Sequence, residues 1–367
     1  MHSPPIFVEG ICKRFGREQV VDDVTLSVGE SEYLCILGAS GSGKTTLLRL
    51  VAGLERPDAG RIVLHGKDIT YLRPHARGIP LVFQHLSLWP HMNVLEQIVF
   101  GLEERGTERR AARRAAFSAI ERVNLSGLES RLPGELSGGQ QQRAALARAL
   151  VLDARVILLD EPLANLDAHL RNEMHALLRR LPAEFGVTVL HVTHDRDDAF
   201  ELADRIAILD SGRIVACDTP GSLYRHPPTS LAASLLGEVN RLAGRVASIE
   251  PEGVVMETGL GIWRSGTRPE GLEQGDKVAL LFRPESVKTT PHDFTLPDQG
   301  NFFPARVIAQ HFAGPLAVLR LSAPVENSDH AVLFTRFAFE CPEQGALGED
   351  CKKYRVSFSD VSVVRDE

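Results

Sequence analysis

The stretch that most restricts what this chain can become is GASGSGKTT, residues 38–46, entered from the apolar run EYLCIL and left through TLLRLVAGL. The first flank reads as a buried strand; the second reads as a helix that stops at Gly53, with Pro57 beyond it. A strand that turns through G-x-x-x-x-G-K-[ST] into a helix offers a curl of backbone N–H groups to an anion. A Cβ at the glycines would obstruct that approach. Lys44 then reaches the β- and γ-phosphates of a nucleotide as a point charge, and the Thr45 hydroxyl holds Mg²⁺. The expected nucleotide contacts are Gly38, Ala39, Ser40, Gly41, Ser42, Gly43, Lys44, Thr45 and Thr46. A glycine-rich turn with a surface lysine is the alternative, and the strand–loop–helix context weighs against it.

Phosphate chemistry also needs an acidic strand end, and RVILLDEP supplies one. Asp160 is placed to assist Mg²⁺ coordination through water. Glu161, one residue on, can polarise the attacking water. Taken alone, such a pair reads equally as a helix cap or a solvated turn.

A second anion grip is suggested by GELSGGQQQRAALARAL, residues 134–150. Ser137, Gly138, Gly139 and Gln140 open a helix whose first amides lack partners and whose dipole favours negative charge. This grip has no lysine. If it lies too far from the chain's own nucleotide it serves a second copy, so that two subunits close head to tail over two nucleotides. A plain helix cap with two flexible glycines explains the same residues, and the sequence leaves both open.

Around these motifs strands alternate with helices. Residues 6–37 read as short strands, GRIVLHGKDI as a hairpin turning near His65 and Gly66, and GIPLVFQ as a further buried strand. Residues 90–150 are helical with charge-dense faces, RRLPAEFG closes a later helix, and VTVLHVTHD is a strand. RIAILDSGRIVACDTP is a hairpin turning at Asp210, Ser211 and Gly212. After residue 236 short alternating runs such as GVVMET and LAVLRLS take over. The expected fold class is α/β: a P-loop NTPase core with a parallel sheet, an antiparallel β subdomain and a helical subdomain (about 90–150), then a small all-β barrel. The expected domains are residues 1–236 and 237–367, with the boundary near Leu236 to Asn240.

In this order, GASGSGKTT, LVFQ, LSGGQQQR, VILLDEP, LANLD and VTHD resemble the nucleotide-binding subunit of an ATP-binding cassette (ABC) transporter over roughly residues 5–235. The resemblance implies an ATPase that uses ATP and Mg²⁺ and works as a homodimer. Gln84 would link Mg²⁺ and the attacking water to a membrane partner. Asp167 would communicate across the dimer, and His194 would contact the γ-phosphate. Phe15 sits where the family stacks an aromatic ring on adenine; an ordinary core aromatic is the alternative. The usual serine opening LANLD is Ala164 here, so its hydroxyl contact is lost.

A finer resemblance concerns the direction of transport. LSLWPHMNVLEQIVFGL is similar to the importer segment that receives a coupling helix from a permease. DTPGSLYRHPPTSLAASLLGEVN and LLFRPESV look like the approach to an oligonucleotide-fold-like (TOBE) domain. This implies integral membrane permease subunits as partners, a solute-binding protein acting indirectly, and ferric iron or a polyamine as solute. The place implied is the cytoplasmic face of the inner membrane, peripherally attached.

The remaining features point elsewhere only weakly. A net charge of −7 gives no reason to expect nucleic acid, and acids interleave the arginines of RRAARRAAF. No run reaches the roughly 18 to 20 apolar residues of a membrane span, and MHSPPIFVEG lacks the pattern of a secretory signal. The five cysteines, Cys341 and Cys351 among them, form no framework, which suits a reduced compartment. His85, His91, His292, His311 and His330 show no metal-ligand spacing. The competing functions are a soluble ABC-type ATPase in DNA repair or translation, and an exporter ATPase.

Overall fold

A computed structural model describes residues 4–164, 166–251, 253–266, 271–291, 303–313, 316–324, 331–338, 353–358 and 361–365. His292, His330, Cys341 and Cys351 lie outside the described residues. The chain forms two compact units, Met1–Pro220 and Gly221–Glu367.

The first unit begins with the hairpin β1 (Ile6–Phe15) and β2 (Glu18–Val28), then β3 (Tyr33–Leu37) and α1 (Lys44–Ala52). β4 (Ala59–Leu64), β5 (Lys67–Asp68), α2 (Pro74–Arg77) and β6 (Leu81–Val82) follow. The helical segment comprises α3 (Val94–Glu103), α4 (Arg109–Arg122) and α5 (Gly138–Leu150). Then come β7 (Val156–Asp160), α6 (Ala168–Phe185), β8 (Thr188–Thr193), α7 (Arg196–Leu202), β9 (Arg205–Asp210) and β10 (Arg213–Asp218).

Every residue of β3, β7 and β8 is buried, with no alternation. Strands of that kind must be covered on both faces, so they sit inside a parallel sheet. The sheet order is β10-β9-β3-β8-β7-β6, with β10 antiparallel at one edge. A separate antiparallel sheet has the order β2-β1-β4-β5. Both expected hairpin turns form: His65 and Gly66, and Ser211 and Gly212, all have positive φ. That backbone matches the twist of a two-residue hairpin. GIPLVFQ gives a strand of only two residues, β6, which lies at the sheet edge and, among the described residues, pairs with β7 alone.

α1 ends at Gly53 as expected, in left-handed backbone at φ 79°. Its last carbonyls find an unforeseen partner in buried Arg77, which donates to Leu50 O at 2.8 Å, Val51 O at 2.7 Å and Thr70 O at 2.7 Å. Helix ends leave such carbonyls without intrahelical bonds, and a guanidinium can satisfy several at once.

The second unit opens with α8 (Pro220–Arg225) and α9 (Ser230–Leu235). Strands follow: β11 (Asn240–Glu250), β12 (Gly253–Thr258), β13 (Gly261–Ser265), β14 (Lys277–Phe282), β15 (Val287–Pro291), β16 (Phe303–Ala313), β17 (Leu316–Pro324), β18 (Ala331–Ala338), β19 (Lys353–Phe358) and β20 (Ser362–Arg365). They make two antiparallel sheets, β13-β12-β11-β14-β20 and β15-β19-β16-β17-β18. One core joins them, with Leu242, Trp263 and Val278 from the first and Phe303, Leu321 and Ala323 from the second.

The units divide upstream of the boundary read from the sequence, and packing explains why. Ala233 of α9 is buried with Ala279, Leu281 and Val364 of the strands. Arg283, in the LLFRPESV run, donates to Ala233 O, Gly237 O and Glu238 O at 2.9 to 3.2 Å. The helices α8 and α9 therefore belong with the β-rich unit.

Candidate functional site

β3, β8 and β7 are neighbours in that order, so the loops at their C-terminal ends open side by side. One carries the glycine-rich loop, the next His194, the third Asp160 and Glu161. Residues far apart in sequence meet there for that topological reason.

The glycine-rich loop is closely built. Gly43 has φ 101°, and a Cβ there would stand 2.4 Å from Val20 O. Lys44 begins α1, and its Nζ donates to Gly38 O and Ala39 O at 2.8 Å each. Burial pulls the Lys44 pKa below the usual lysine value, while Glu161 and Asp160 act against that shift. Ser42 Oγ is buried with no hydrogen-bond partner among the described residues. A buried ammonium held by neutral carbonyls and an orphaned hydroxyl, inside a loop open to close approach, suit a polyphosphate.

The Thr45 hydroxyl donates to Asp160 Oδ1 at 3.2 Å. Asp160 is buried at the end of β7, and burial pushes its pKa up while the Thr45 bond opposes the rise. Among the described residues no cluster of three or more His, Cys, Asp or Glu could cage a metal. One hydroxyl and one carboxylate oxygen instead suit Mg²⁺, which keeps waters and binds substrate phosphates.

Glu161 receives two side chains. Gln84 Nε2 donates to Oε2 at 3.3 Å, and His194 Nδ1 lies 3.0 Å from Oε1. Glu161 itself has φ 45°, left-handed backbone that costs a non-glycine residue about 1 kcal/mol. Its N–H donates to Val192 O at 3.0 Å, which fixes the turn. Strain of this kind persists where the surroundings over-determine it, as they do in functional sites. The acidic pair does not cap the helix that follows. α6 starts at Ala168 with Asp167 as its cap, and Glu161 is largely shielded.

Sequence reasoning missed the residues that fix the turn on either side of His194. Thr193 Oγ1 accepts from Asp195 N at 3.0 Å and donates to Asp198 Oδ2 at 3.4 Å. Asp198 Oδ1 in turn lies 2.8 Å from His175 Nε2 of α6, and Arg171 of α6 pairs with Asp195 at 2.5 Å. Burial raises the Asp198 pKa, and the His175 bond opposes that rise. The acid-rich start of α7, DRDD, was a readable helix-start signal; the partners on α6 carried none.

Ser137, Gly138, Gly139 and Gln140 form the first turn of α5 with a reciprocal cap. Gln140 N donates to Ser137 Oγ at 3.3 Å, and Ser137 N to Gln140 Oε1 at 3.0 Å. A Cβ on Gly139 would stand 3.0 Å from Leu170 Cδ2, so that glycine also allows α5 to pack on α6. Asp167 accepts from Leu170 N at 2.9 Å and so caps α6. Phe15 is 45% exposed with Lys13 Nζ 5.2 Å from its ring centroid, which rules out a core role. Near the expected coupling segment, a cavity of about 760 Å³ is lined by His91, Met92, Phe100, Arg109, Arg113 and Phe117, among others.

Residues 21–164 match the profile of a family described as ABC transporter. The spermidine/putrescine import ATP-binding protein of Rubrobacter xylanophilus is 40% identical over 283 residues, 77% of this chain and 75% of the relative. The Fe(3+) ions import ATP-binding protein of Agrobacterium fabrum is 40% identical over 288 residues, covering 77% and 79%. The sulfate/thiosulfate import ATP-binding protein of Xylella fastidiosa is 40% identical over 335 residues, covering 89% and 90%. A solved ATP-binding cassette, dimeric, in a post-hydrolysis state and bound to ADP and Pi, superposes with a TM-score of 0.53 at 30% identity. It covers 58% of this chain and 98% of that one.

Proposed function

The chain belongs to the family of ABC transporter ATP-binding proteins, and from that premise we propose how its residues turn ATP hydrolysis into solute uptake. It is the ATP-hydrolysing subunit of an importer. Its relatives are import ATP-binding proteins over most of their length, which sets aside a role in DNA repair or translation.

The observation that carries the residue assignment is the convergence of Gln84 and His194 on the two carboxylate oxygens of Glu161, beside Lys44 and Thr45. Residues 38–46 bind the phosphates, with Lys44 as the point charge. Thr45 and Asp160, with Gln84, would hold Mg²⁺, which when bound would neutralise charge developing on the phosphate oxygens. Glu161 takes the proton of the attacking water, and His194 fixes the geometry of that carboxylate. Phe15, on the exposed end of β1, stacks on the base.

Ser137, Gly138, Gly139, Gln140 and Asp167 act on the nucleotide of a second copy in a head-to-tail homodimer. The dimeric cassette with ADP and Pi supports this reading. The cavity beside α3 and α4 receives the permease subunits, at the cytoplasmic face of the inner membrane, with a solute-binding protein acting through them. The ATPase domain lies within residues 1–220, and residues 221–367 form a regulatory TOBE-type domain. Ferric iron or a polyamine is the proposed solute; relatives named for Fe(3+) and for spermidine/putrescine support it, and one named for sulfate/thiosulfate sets the competing class.

The test is a tagged pull-down of Glu161→Gln with ATP from gently solubilised native membranes, read by mass spectrometry. A multi-span permease with its solute-binding protein supports the importer and identifies the solute class. A cytosolic partner with no membrane protein overturns the transport reading.

A further inference from the structure

Residues 84–92 run from Glu161 to the wall of the cavity, and an arginine from another element grips their middle. Leu86 and Ser87 have φ of 52° and 47°, the left-handed region that residues other than glycine seldom enter. Arg148, in the last turn of α5, donates from Nη2 to Leu86 O at 2.9 Å and from Nη1 to Ser87 O at 2.8 Å. Its guanidinium lies 5.0 Å from the Trp89 ring centroid, and Trp89 packs edge-on against Phe100 of α3 at 4.9 Å. Buried Gln97 of α3 completes the hold, donating to Trp89 O at 3.3 Å and Met92 O at 3.2 Å and accepting from Trp89 N at 3.1 Å.

Two adjacent carbonyls and a ring form a target matched to a planar fork, which a lysine cannot reproduce. On one side of this grip Gln84 reaches Glu161; on the other, Met92 lines the cavity. We propose that Arg148 is a positioning residue: by fixing the Leu86 and Ser87 carbonyls and the Trp89 ring, it sets Gln84 against Glu161. It ties that setting to α5, the helix whose first turn carries Ser137, Gly138 and Gly139. A shift of α5 is thereby passed to Gln84 and to the cavity wall together. The inference rests on the assignment of Gln84 and Glu161 made above.

The experiment measures ATP hydrolysis, equilibrium ATP binding and amide hydrogen exchange for the full chain, with Arg148→Gln, Arg148→Lys and Glu161→Gln. Arg148→Gln is expected to lower kcat by about tenfold or more, as misplacement of a positioned group does. ATP affinity should stay within about twofold, separating positioning from binding. Exchange should quicken at residues 84–89 and stay unchanged in β3 and β8. A kcat close to that of the unmodified chain overturns the inference. So does a loss of kcat with exchange raised evenly throughout, which marks lost stability. If Arg148→Gln does not fold, Arg148→Lys decides: lower kcat with faster exchange confined to 84–89 supports the inference, and unchanged exchange there overturns it. Brisk turnover by Glu161→Gln would instead sink the assignment of the base on which this inference rests.

Discussion

His194 Nδ1 lies 3.0 Å from Glu161 Oε1, joining a residue after β8 to one after β7. Lys44 is held by the Gly38 and Ala39 carbonyls rather than by a bond to this pair, so binding and turnover should separate. His194→Ala is predicted to lower kcat by roughly 10- to 100-fold with ATP affinity nearly unchanged. Steady-state hydrolysis and an ATP titration check this; a parallel loss of both would contradict it.

His191 predicts an acid-sensitive core. It is fully buried in β8, 3.1 Å from the Tyr33 hydroxyl and 3.6 Å from Cys35 Sγ. Burial, with a smaller contribution from His175, lowers its pKa to about 3. The unfolded chain binds the proton near pH 6.5, so below that value unfolding gains a proton the folded state refuses. The contribution is complete above about pH 6.5 and is lost as pH falls toward 3. Asp160 and Asp198, raised by burial, work in the opposite direction, so the comparison must be differential. Between pH 7.5 and 5.0, His191→Leu is predicted to lose about 2 kcal/mol less stability than the unmodified chain. Urea unfolding at both pH values measures this, and equal losses would contradict it.

Gly139 allows α5 to pack on α6, and a pair of substitutions separates that packing from the proposed contact with a second copy's nucleotide. Gly139→Ala adds only the Cβ that meets Leu170, a flexible side chain able to shift, and should leave ATP-driven dimerisation largely intact. If Gly139 faces the partner's γ-phosphate as proposed, Gly139→Asp adds a like charge there and should abolish dimerisation while sparing nucleotide binding. Light scattering with ATP under non-hydrolysing conditions reads the difference. Equal behaviour of the two variants would refute the second-grip reading.

The packing of α9 on the β-rich unit predicts where the chain can be cut. Residues 1–220 should fold and unfold cooperatively. Residues 1–239 keep α8 and α9 but lose Arg283, Ala279, Leu281 and Val364, exposing an apolar face. That fragment should aggregate more readily. Calorimetry and size-exclusion chromatography of the two fragments test this; failure of residues 1–220 to fold would contradict it.

Much of the site was legible because its chemistry sits in short local patterns. GASGSGKTT and VILLDEP each combine a buried strand with the reactive residues that follow, and the structure brings Lys44, Thr45, Asp160 and Glu161 together. Gln84 and His194 came only from resemblance, since nothing in their own spacing marks them. Arg77, Arg148 and Arg283 were not legible at all. Each satisfies backbone carbonyls of a distant element, and those partnerships leave no periodic trace in one sequence. The place of α8 and α9 was missed for a related reason. The alternating runs begin only after residue 236, whereas the apolar partners of Ala233 in α9 lie in strands some 45 to 130 positions later.

Everything proposed for turnover depends on Glu161 acting as the general base. That role is tested most directly by measuring ATP binding and single-turnover hydrolysis of Glu161→Gln with Mg²⁺. The predicted result is ATP bound at near-normal affinity and hydrolysed roughly 100-fold or more slowly than by the unmodified chain. Turnover at the unmodified rate would contradict the account.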